Sequence, residues 1–555
     1  MRQLTRVLLI LFLFSCASTL VWGGDEKLSP DLRGRRASDN VDVIVRYRSA
    51  PTEAHHRRVT EAGGLLRHRL DFIRSGHYSV SSALLKSLSN DDDVEYITPD
   101  RPLRGMTDIT DGTVYSNVAN AFGYTGAGLG VAVIDSGMVS LPDFGSGGSN
   151  GPGPTPGLAG RSRIVYQQSF IGGTPVDQYG HGTHVAGILG ANGNGTIYVG
   201  IAPSVNLINL RVLDQNGNGT DSAVIAAIDK AIQLQNQYNI QVINLSLGRQ
   251  VFEPAAQDPL CQAVEAAWKA GIVVVVAAGN GGRDNSMGTN GYGTITAPGN
   301  DPYVITVGAM KAEGTTNRGD DLIASYSSKG PTLYDHYVKP DIVAPGNQIV
   351  STLPAGLTLS QKFPGNVVSP PPHFTLSGTS MATPVVSGAA VILLQANPSL
   401  TPDQVKAQLM RSATKNFPDS STAVDPVTGL KYTSYYDVFT IGAGYLDIAT
   451  ALVSPPAPQE SAISPQAAYN PATKTVSLLG ITGSNVVWGW TSQWAANVVW
   501  STAVISGSNV VWSTNVVWST NFLAGFNVVW STNVVWSTSG PVGGESGPVL
   551  IDGEQ

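Results

Sequence analysis

Cysteine is nearly absent from this chain: among 555 residues there are two, Cys16 and Cys261. That excludes a small disulfide-stapled scaffold. Charge is scarce as well, since Asp, Glu, Lys and Arg make up 13% of the residues. Positive charge is in deficit, 33 basic against 40 acidic side chains for a net −7, so nucleic acid is not expected as a partner. From Thr475 to Gly544 there is no charged side chain at all. What is plentiful is glycine (62), proline (34) and hydrophobic residues (42%). Such a composition suits a loop-rich α/β chain long enough for a large core.

Residues 1–24 carry Arg2 and Arg6, then the apolar run Val7–Phe14, then small residues. This is the pattern of a secretory signal peptide, with a core too short to anchor in a bilayer. Cleavage is expected after Ser18 or near Gly23. Leu13-Phe-Ser-Cys16 also resembles a lipoprotein processing box, which leaves a lipid anchor on Cys16 open. Without this segment Cys261 is the one remaining thiol, no intramolecular disulfide can form, and stability must come from packing or ions.

Residues 25–104 read as a separate unit. Strand-like alternation at Val41–Arg48, Leu65–Phe72, Gly76–Val80 and Val94–Thr98 is interrupted by helical stretches at Thr52–Ala62 and Ser82–Asn90. The order strand, helix, strand, strand, helix, strand is that of a ferredoxin-like α+β unit. It holds 14 of the 33 basic residues and so could dock on the acidic remainder.

Beyond it, Val131–Ile134, Asn206–Leu213, Val242–Leu247, Ile272–Ala278 and Val304–Val307 are near-continuous apolar runs. Helical patterns at Ser222–Gln237 and Leu260–Lys269 alternate with them, which predicts a mostly parallel sheet covered on both faces. Chemistry in such folds gathers at the carboxyl ends of strands. Asp135 follows the first run in Val-Ile-Asp-Ser-Gly. Asn280 follows the fourth in Ala-Ala-Gly-Asn, and each sequence taken alone is also an ordinary turn. His181 and His184 stand three apart in Gly-His-Gly-Thr-His-Val-Ala-Gly. Metal-binding helices commonly space histidines by four with an acid between, so His181 reads better as a general base and His184 as a packed helix residue. Ser380, in Gly-Thr-Ser-Met-Ala-Thr-Pro before the apolar run Val385–Leu394, is either a helix cap or a nucleophile at the positive end of a helix.

Together, Asp135, His181, Asn280 and Ser380 in these four motifs, in this order, resemble the subtilisin-like serine proteases, the subtilases. The resemblance covers about Gly105 to Leu452. It implies a three-layer α/β sandwich in residues 105–453 and a serine endopeptidase needing no cofactor for catalysis. Ser380 would be the nucleophile, His181 the base, Asp135 its orienting acid, and Asn280 with the Ser380 N–H the oxyanion donors. It further implies that Ser246-Leu247-Gly248 and Gly217-Asn218-Gly219 pair with peptide substrates as added strands, and that Ser246–Gly248 and Ala277–Gly279 wall a pocket. Asp143 and Asn194 would join backbone carbonyls around a structural calcium ion. Residues 25–104 would be a propeptide acting as chaperone and intramolecular inhibitor, released by cleavage between about Asp100 and Asp111. The whole reads as a secreted zymogen.

Residues 454–466 are rich in Pro and Ser and read as a linker. In the 467–555 region, uncharged from Thr475 to Gly544, Asn-Val-Val-Trp begins at Asn485, Asn497, Asn509, Asn515, Asn527 and Asn533. Trp488, Trp494, Trp500, Trp512, Trp518, Trp530 and Trp536 keep a six-residue beat that skips Ser506 and Ala524. An even period puts every Trp of a strand on one side. Long antiparallel strands joined by hairpins and a β-solenoid both satisfy it. A binding or adhesion protein using these repeats on a protease-like scaffold is the competing reading, and either way the tail is expected to assemble or to bind a surface.

Overall fold

Val273–Ala277 is five apolar residues in a row, too many for a strand with one wet face, and all five are buried. The same logic builds the sheet around it in a computed structural model. The model describes residues 27–28, 32, 40–71, 74–99, 108–145, 162–193, 198–286, 288–370, 372–425, 428–457, 459, 461–470, 475–479, 504–506 and 554. The signal-like segment with Cys16, the stretch 100–107, Asn194 and the Asn-Val-Val-Trp repeats lie outside the described residues. Two units, Met1–Arg104 and Gly105–Gln555, divide the chain.

The first unit runs β1 (Asn40–Tyr47), α1 (Glu53–Glu61), β2 (Leu65–Leu70), β3 (Ser75–Ser81), α2 (Ser82–Ser89) and β4 (Val94–Pro99). Its antiparallel sheet has the order β2-β3-β1-β4. β1 alternates exposed and buried residues, so Val41, Val43 and Val45 face a core shared with Val59, Leu85 and Ile97.

In the second unit the sheet order is β11-β10-β9-β8-β5-β7-β6, with β12 beside β10. These are β5 (Gly130–Asp135), β6 (Ile164–Ser169), β7 (Asn206–Arg211), β8 (Ile240–Leu245), β9 (Val273–Ala277), β10 (Ile305–Lys311), β11 (Leu322–Ile323) and β12 (Ile342–Pro345). All neighbours are parallel except β10 with β11. Helices α3 (His181–Gly190), α4 (Asp221–Tyr238), α5 (Pro259–Lys269) and α6 (Thr379–Ala396) supply the outer layers. α3 packs on α6, and α4 on α5. Cys261, on α5, is buried and unpaired; its Sγ–H donates to Asn300 Oδ1 at 3.2 Å, and burial pushes its thiol well above the ordinary value.

Residues 454–466, read from their composition as a linker, make hydrogen bonds with the body over 461–466. Asp341 is the cause. Fully buried, it pairs with Lys339 at 2.6 Å and Lys406 at 3.2 Å, and it accepts the Ser464 hydroxyl at 2.6 Å. Lys406 is further held by the Pro302, Tyr303 and Val304 carbonyls, and Ala462 N–H donates to Asp403. Ser464 gains its place because a buried carboxylate with an open lone pair needs a donor. From there β13 (Gln466–Asn470) pairs with β14 (Thr475–Leu479), and β14 with β15 (Val504–Ser506). The skipped beat at Ser506 therefore falls on the last residue of a short strand.

Replacing Asp341 strands two ammonium groups in the core. Asp341→Ala is expected to lower unfolding free energy by about 3–5 kcal/mol, read as a drop in the urea midpoint; a change within measurement error counts against the network.

Candidate active site

The carboxyl ends of β5, β8 and β9 all lie at one edge of the sheet, as their parallel registers require. Asp135 closes β5, Ser246–Gly248 continue β8, and Asn280 follows β9 by three residues. The amino ends of α3 and α6 bring His181 and Ser380 to the same place. His181, Asn280 and Ser380 line one cavity of about 510 Å³, along with Gly217–Gly219 and Ser246–Gly248.

His181 Nδ1 lies 2.8 Å and 3.0 Å from the two oxygens of Asp135. Asp135 is almost wholly buried, while His181 keeps 17% of its side chain exposed toward the cavity. Burial alone would push the imidazole pKa down. The adjacent Asp135 carboxylate outweighs it by charge and hydrogen bond, and His181 ends above its ordinary 6.5.

The position of α3 depends on an acid that motif reading passed over. Asp177, buried, accepts from the N–H groups of Tyr179, Gly180 and Thr183 and from the hydroxyls of Ser136 and Thr183, all between 2.7 and 3.0 Å. A carboxylate at a helix start satisfies donors that have no intrahelical acceptor. Ser136 in turn takes the Gly182 N–H at 2.8 Å. Gly182 must be glycine: a Cβ there would collide with the Gly137 carbonyl. The helix thus rides directly on the turn that carries Asp135. The only sequence signal for Asp177 was an acid just before a helix start.

His184 points the other way. It is fully buried, its Nε2 is 2.9 Å from the Phe374 carbonyl, and burial pushes its pKa down to about 3. It is a neutral packing residue.

α6 begins at Thr379, six residues ahead of the apolar run, so Ser380 sits in its first turn and Pro384 lies inside the helix. Proline has no N–H, so the Ser380 carbonyl loses its donor four residues on. Ser246 Oγ replaces it at 2.8 Å, and Ser380 Oγ donates back to the Ser246 carbonyl at 3.0 Å. In this resting arrangement the hydroxyl is bonded to Ser246 rather than to the imidazole. Catalytic hydrogen bonds are often loose before substrate arrives.

Asn280 is oriented by Thr379. Its Oδ1 accepts from the Thr379 N–H at 2.9 Å and hydroxyl at 3.1 Å. A backbone N–H can only donate, which fixes the amide assignment and turns the NH2 end away from the helix. The Ser380 N–H belongs to the first turn, where N–H groups have no intrahelical acceptor. The Gly217–Gly219 loop is wound on Asp214, whose carboxylate accepts from the Asn216 and Asn218 N–H groups at 2.8 and 2.9 Å. Those donors hold Asp214 below its ordinary pKa.

Two expected pocket residues stand back from the cavity. Ala277 is buried in β9, and Gly279 is absent from the cavity lining, its N–H bonded to the Thr379 hydroxyl. Asp143 is buried; its Oδ1 has no hydrogen-bond partner among the described residues. Its carbonyl accepts from Arg163 and from the Asn192 N–H.

A parallel α/β sheet that gathers a carboxylate, an imidazole, a hydroxyl and a carboxamide around one cleft is the layout of a serine hydrolase. The subtilase (peptidase S8) domain matches residues 126–429, just over half of the chain, and the protein belongs to the subtilase family. It is 37% identical over 348 residues to serine protease AprX of Bacillus subtilis strain 168, covering 61% of this chain and 73% of that one. Subtilisin DY of Bacillus licheniformis is 36% identical over 310 residues, with 55% and 91% covered. An extracellular serine proteinase of Thermus strain Rt41A is 35% identical over 355 residues, with 62% and 72% covered. The chain is a subtilisin-like serine endopeptidase.

Only a neutral imidazole accepts a proton, so hydrolysis should rise with pH as His181 deprotonates, with a half-point above 6.5. Asp135→Asn should move that half-point down and lower kcat about 10⁴-fold. A pH–rate series on a peptide anilide reads both; an unmoved half-point counts against the pairing.

Proposed function

We propose that the protein is a secreted endopeptidase made as a zymogen, in which Ser380 attacks the substrate carbonyl as His181 takes its proton. Asp135 keeps the imidazole in the accepting tautomer and stabilises its charged form. The oxyanion of the tetrahedral intermediate is received by the Asn280 amide and the Ser380 N–H. Collapse of that intermediate expels the amine, protonated by His181, and leaves an acyl-enzyme. Water, activated by the same imidazole, then releases the acid. The observation that carries this reading is the buried Asp135 bonded at 2.8 Å to a His181 that shares a cavity with Ser380 and Asn280. Peptide backbone would lie along Ser246–Gly248 and Gly217–Gly219, which line that cavity.

Residues 1–24 would direct export, and the extracellular proteinase among the relatives agrees with this. The βαββαβ unit would be the inhibitory propeptide, cleaved between about Asp100 and Asp111. Asp143 offers its orphan buried oxygen to a calcium ion, with Asn194 as a second ligand; bound to the folded state alone, such an ion stabilises it.

Expression of wild type and Ser380→Ala tests the scheme. Wild type should appear in the medium beginning between residues 100 and 111 and should hydrolyse casein, while the alanine variant should stay unprocessed and inert. Equal casein hydrolysis by both would overturn it. For the ion, chelation with EGTA should lower the thermal midpoint of wild type and leave that of Asp143→Ala unchanged; no shift in wild type rejects calcium.

A further inference from the structure

Glu554 is bound deep in the catalytic body. Only 5% of its side chain is exposed, and it faces an Arg283 that is 10% exposed. Arg283 Nη2 donates to Oε1 at 3.0 Å, the Ser325 hydroxyl donates to the same oxygen at 2.6 Å, and the Ser325 N–H donates to Oε2 at 2.8 Å. The backbone of Glu554 is read too: its N–H donates to Asn347 Oδ1 at 2.8 Å and its carbonyl accepts from Asn347 Nδ2 at 3.0 Å. Five hydrogen bonds, three on the carboxylate and two on the peptide, make a site selective for an acidic residue in a chain. Arg283 is set for this task by its Nε bond to Ser325 Oγ at 2.7 Å, by Asp425 at 3.2 Å and by the Tyr432 ring 4.6 Å below its guanidinium.

The site is joined to the oxyanion residues through the chain and a series of hydrogen bonds. Arg283 is three positions after Asn280. Gly281 N–H donates to Ser328 Oγ, Gly282 N–H to the Tyr326 carbonyl, and Ser328 N–H to the Gly279 carbonyl. Asn347 adjoins Gly346, whose carbonyl accepts both the Tyr326 hydroxyl at 3.0 Å and the Gly378 N–H at the start of α6. Glu554 therefore ties together 279–283, 325–328 and 346–347, the three segments that fix Asn280 and the first turn of α6. Without Glu554, Arg283 would keep Asp425 but lose its shorter ion pair, and Ser325 and Asn347 would lose the group that joins them to it, so the three segments would no longer be held to one another through this site.

We infer that Arg283, Ser325 and Asn347 form a receptor for an acidic residue carried by the distal part of this same chain, and that Glu554, by filling it, is a positioning residue for the oxyanion site. The inference rests on the endopeptidase reading above. It makes turnover depend on a residue that lies 271 positions from Arg283 in sequence, beyond the Trp repeats, so severing the repeat region would be felt at Asn280.

The test uses full-length wild type, Glu554→Ala and Glu554→Gln with a peptide anilide. The alanine variant should lose about tenfold in kcat with little change in KM, less than the ~100- to 1000-fold cost known in this family for removing an oxyanion donor outright. The glutamine variant, which keeps an acceptor oxygen, should fall between. A free acetylated peptide with the sequence of residues 549–555 should restore kcat to the alanine variant, and the same peptide with Gln for Glu should not. An unchanged kcat in Glu554→Ala, or no rescue by the acidic peptide, overturns the inference whatever the thermal midpoint does. Failure of the endopeptidase reading looks different: wild type itself would neither cut casein nor react at Ser380 with a fluorophosphonate.

Discussion

Two reciprocal hydrogen bonds between Ser246 and Ser380 fasten the start of α6 to the end of β8, and the active-site layout hangs from that junction. One of them exists because Pro384 withholds the N–H that would otherwise claim the Ser380 carbonyl. The vacancy is filled from the neighbouring strand end, so a helix that could slide along the sheet is instead pinned at the one turn where position matters. Thr379 extends the junction to β9 through Asn280. Asp177 and Ser136 do for α3 and β5 what Ser246 and Thr379 do for α6. The cleft is thus assembled from strand ends and helix starts, and Ser246, Thr379, Asp177 and Ser136, which join them, take no part in bond making themselves.

This division explains which parts could be read from sequence. The buried parallel strands announced themselves as apolar runs, because a strand covered on both faces has no reason to alternate. β6 did not: it pairs on one side only, its residues from Ile164 to Gln167 alternate in exposure, and its sequence Ile-Val-Tyr-Gln-Gln-Ser carries no clear period. The four residues placed around the cleft were legible because each sits among glycines and small side chains that few other contexts demand. Asp177 and Thr379 were not, since the contacts that matter, Asp177 with the Ser136 hydroxyl 41 positions away and Thr379 with the Asn280 amide oxygen 99 positions away, are made by tertiary packing. The start of α6 was misplaced for a related reason. Proline ordinarily argues against a helix interior, and nothing local reveals that a serine 134 positions earlier takes over the orphaned carbonyl.

The stretch from 454 to 466 teaches the same lesson in reverse. Its composition is that of a linker, yet the charge cluster around Asp341 requires one more donor and Ser464 supplies it. Composition reports what a segment can do unaided, and a buried carboxylate elsewhere can overrule it.

The buried thiol of Cys261 has a practical bearing. Among the described residues it is the sole cysteine, it sits in the core on α5, and its proton is held by burial and by Asn300. A thiol-reactive dye can find it only when the layer between α5 and β9 parts. The rate at which such a dye attaches would then clock the opening of the sheet's outer layer, giving this protein a built-in gauge of its own breathing without any engineered label.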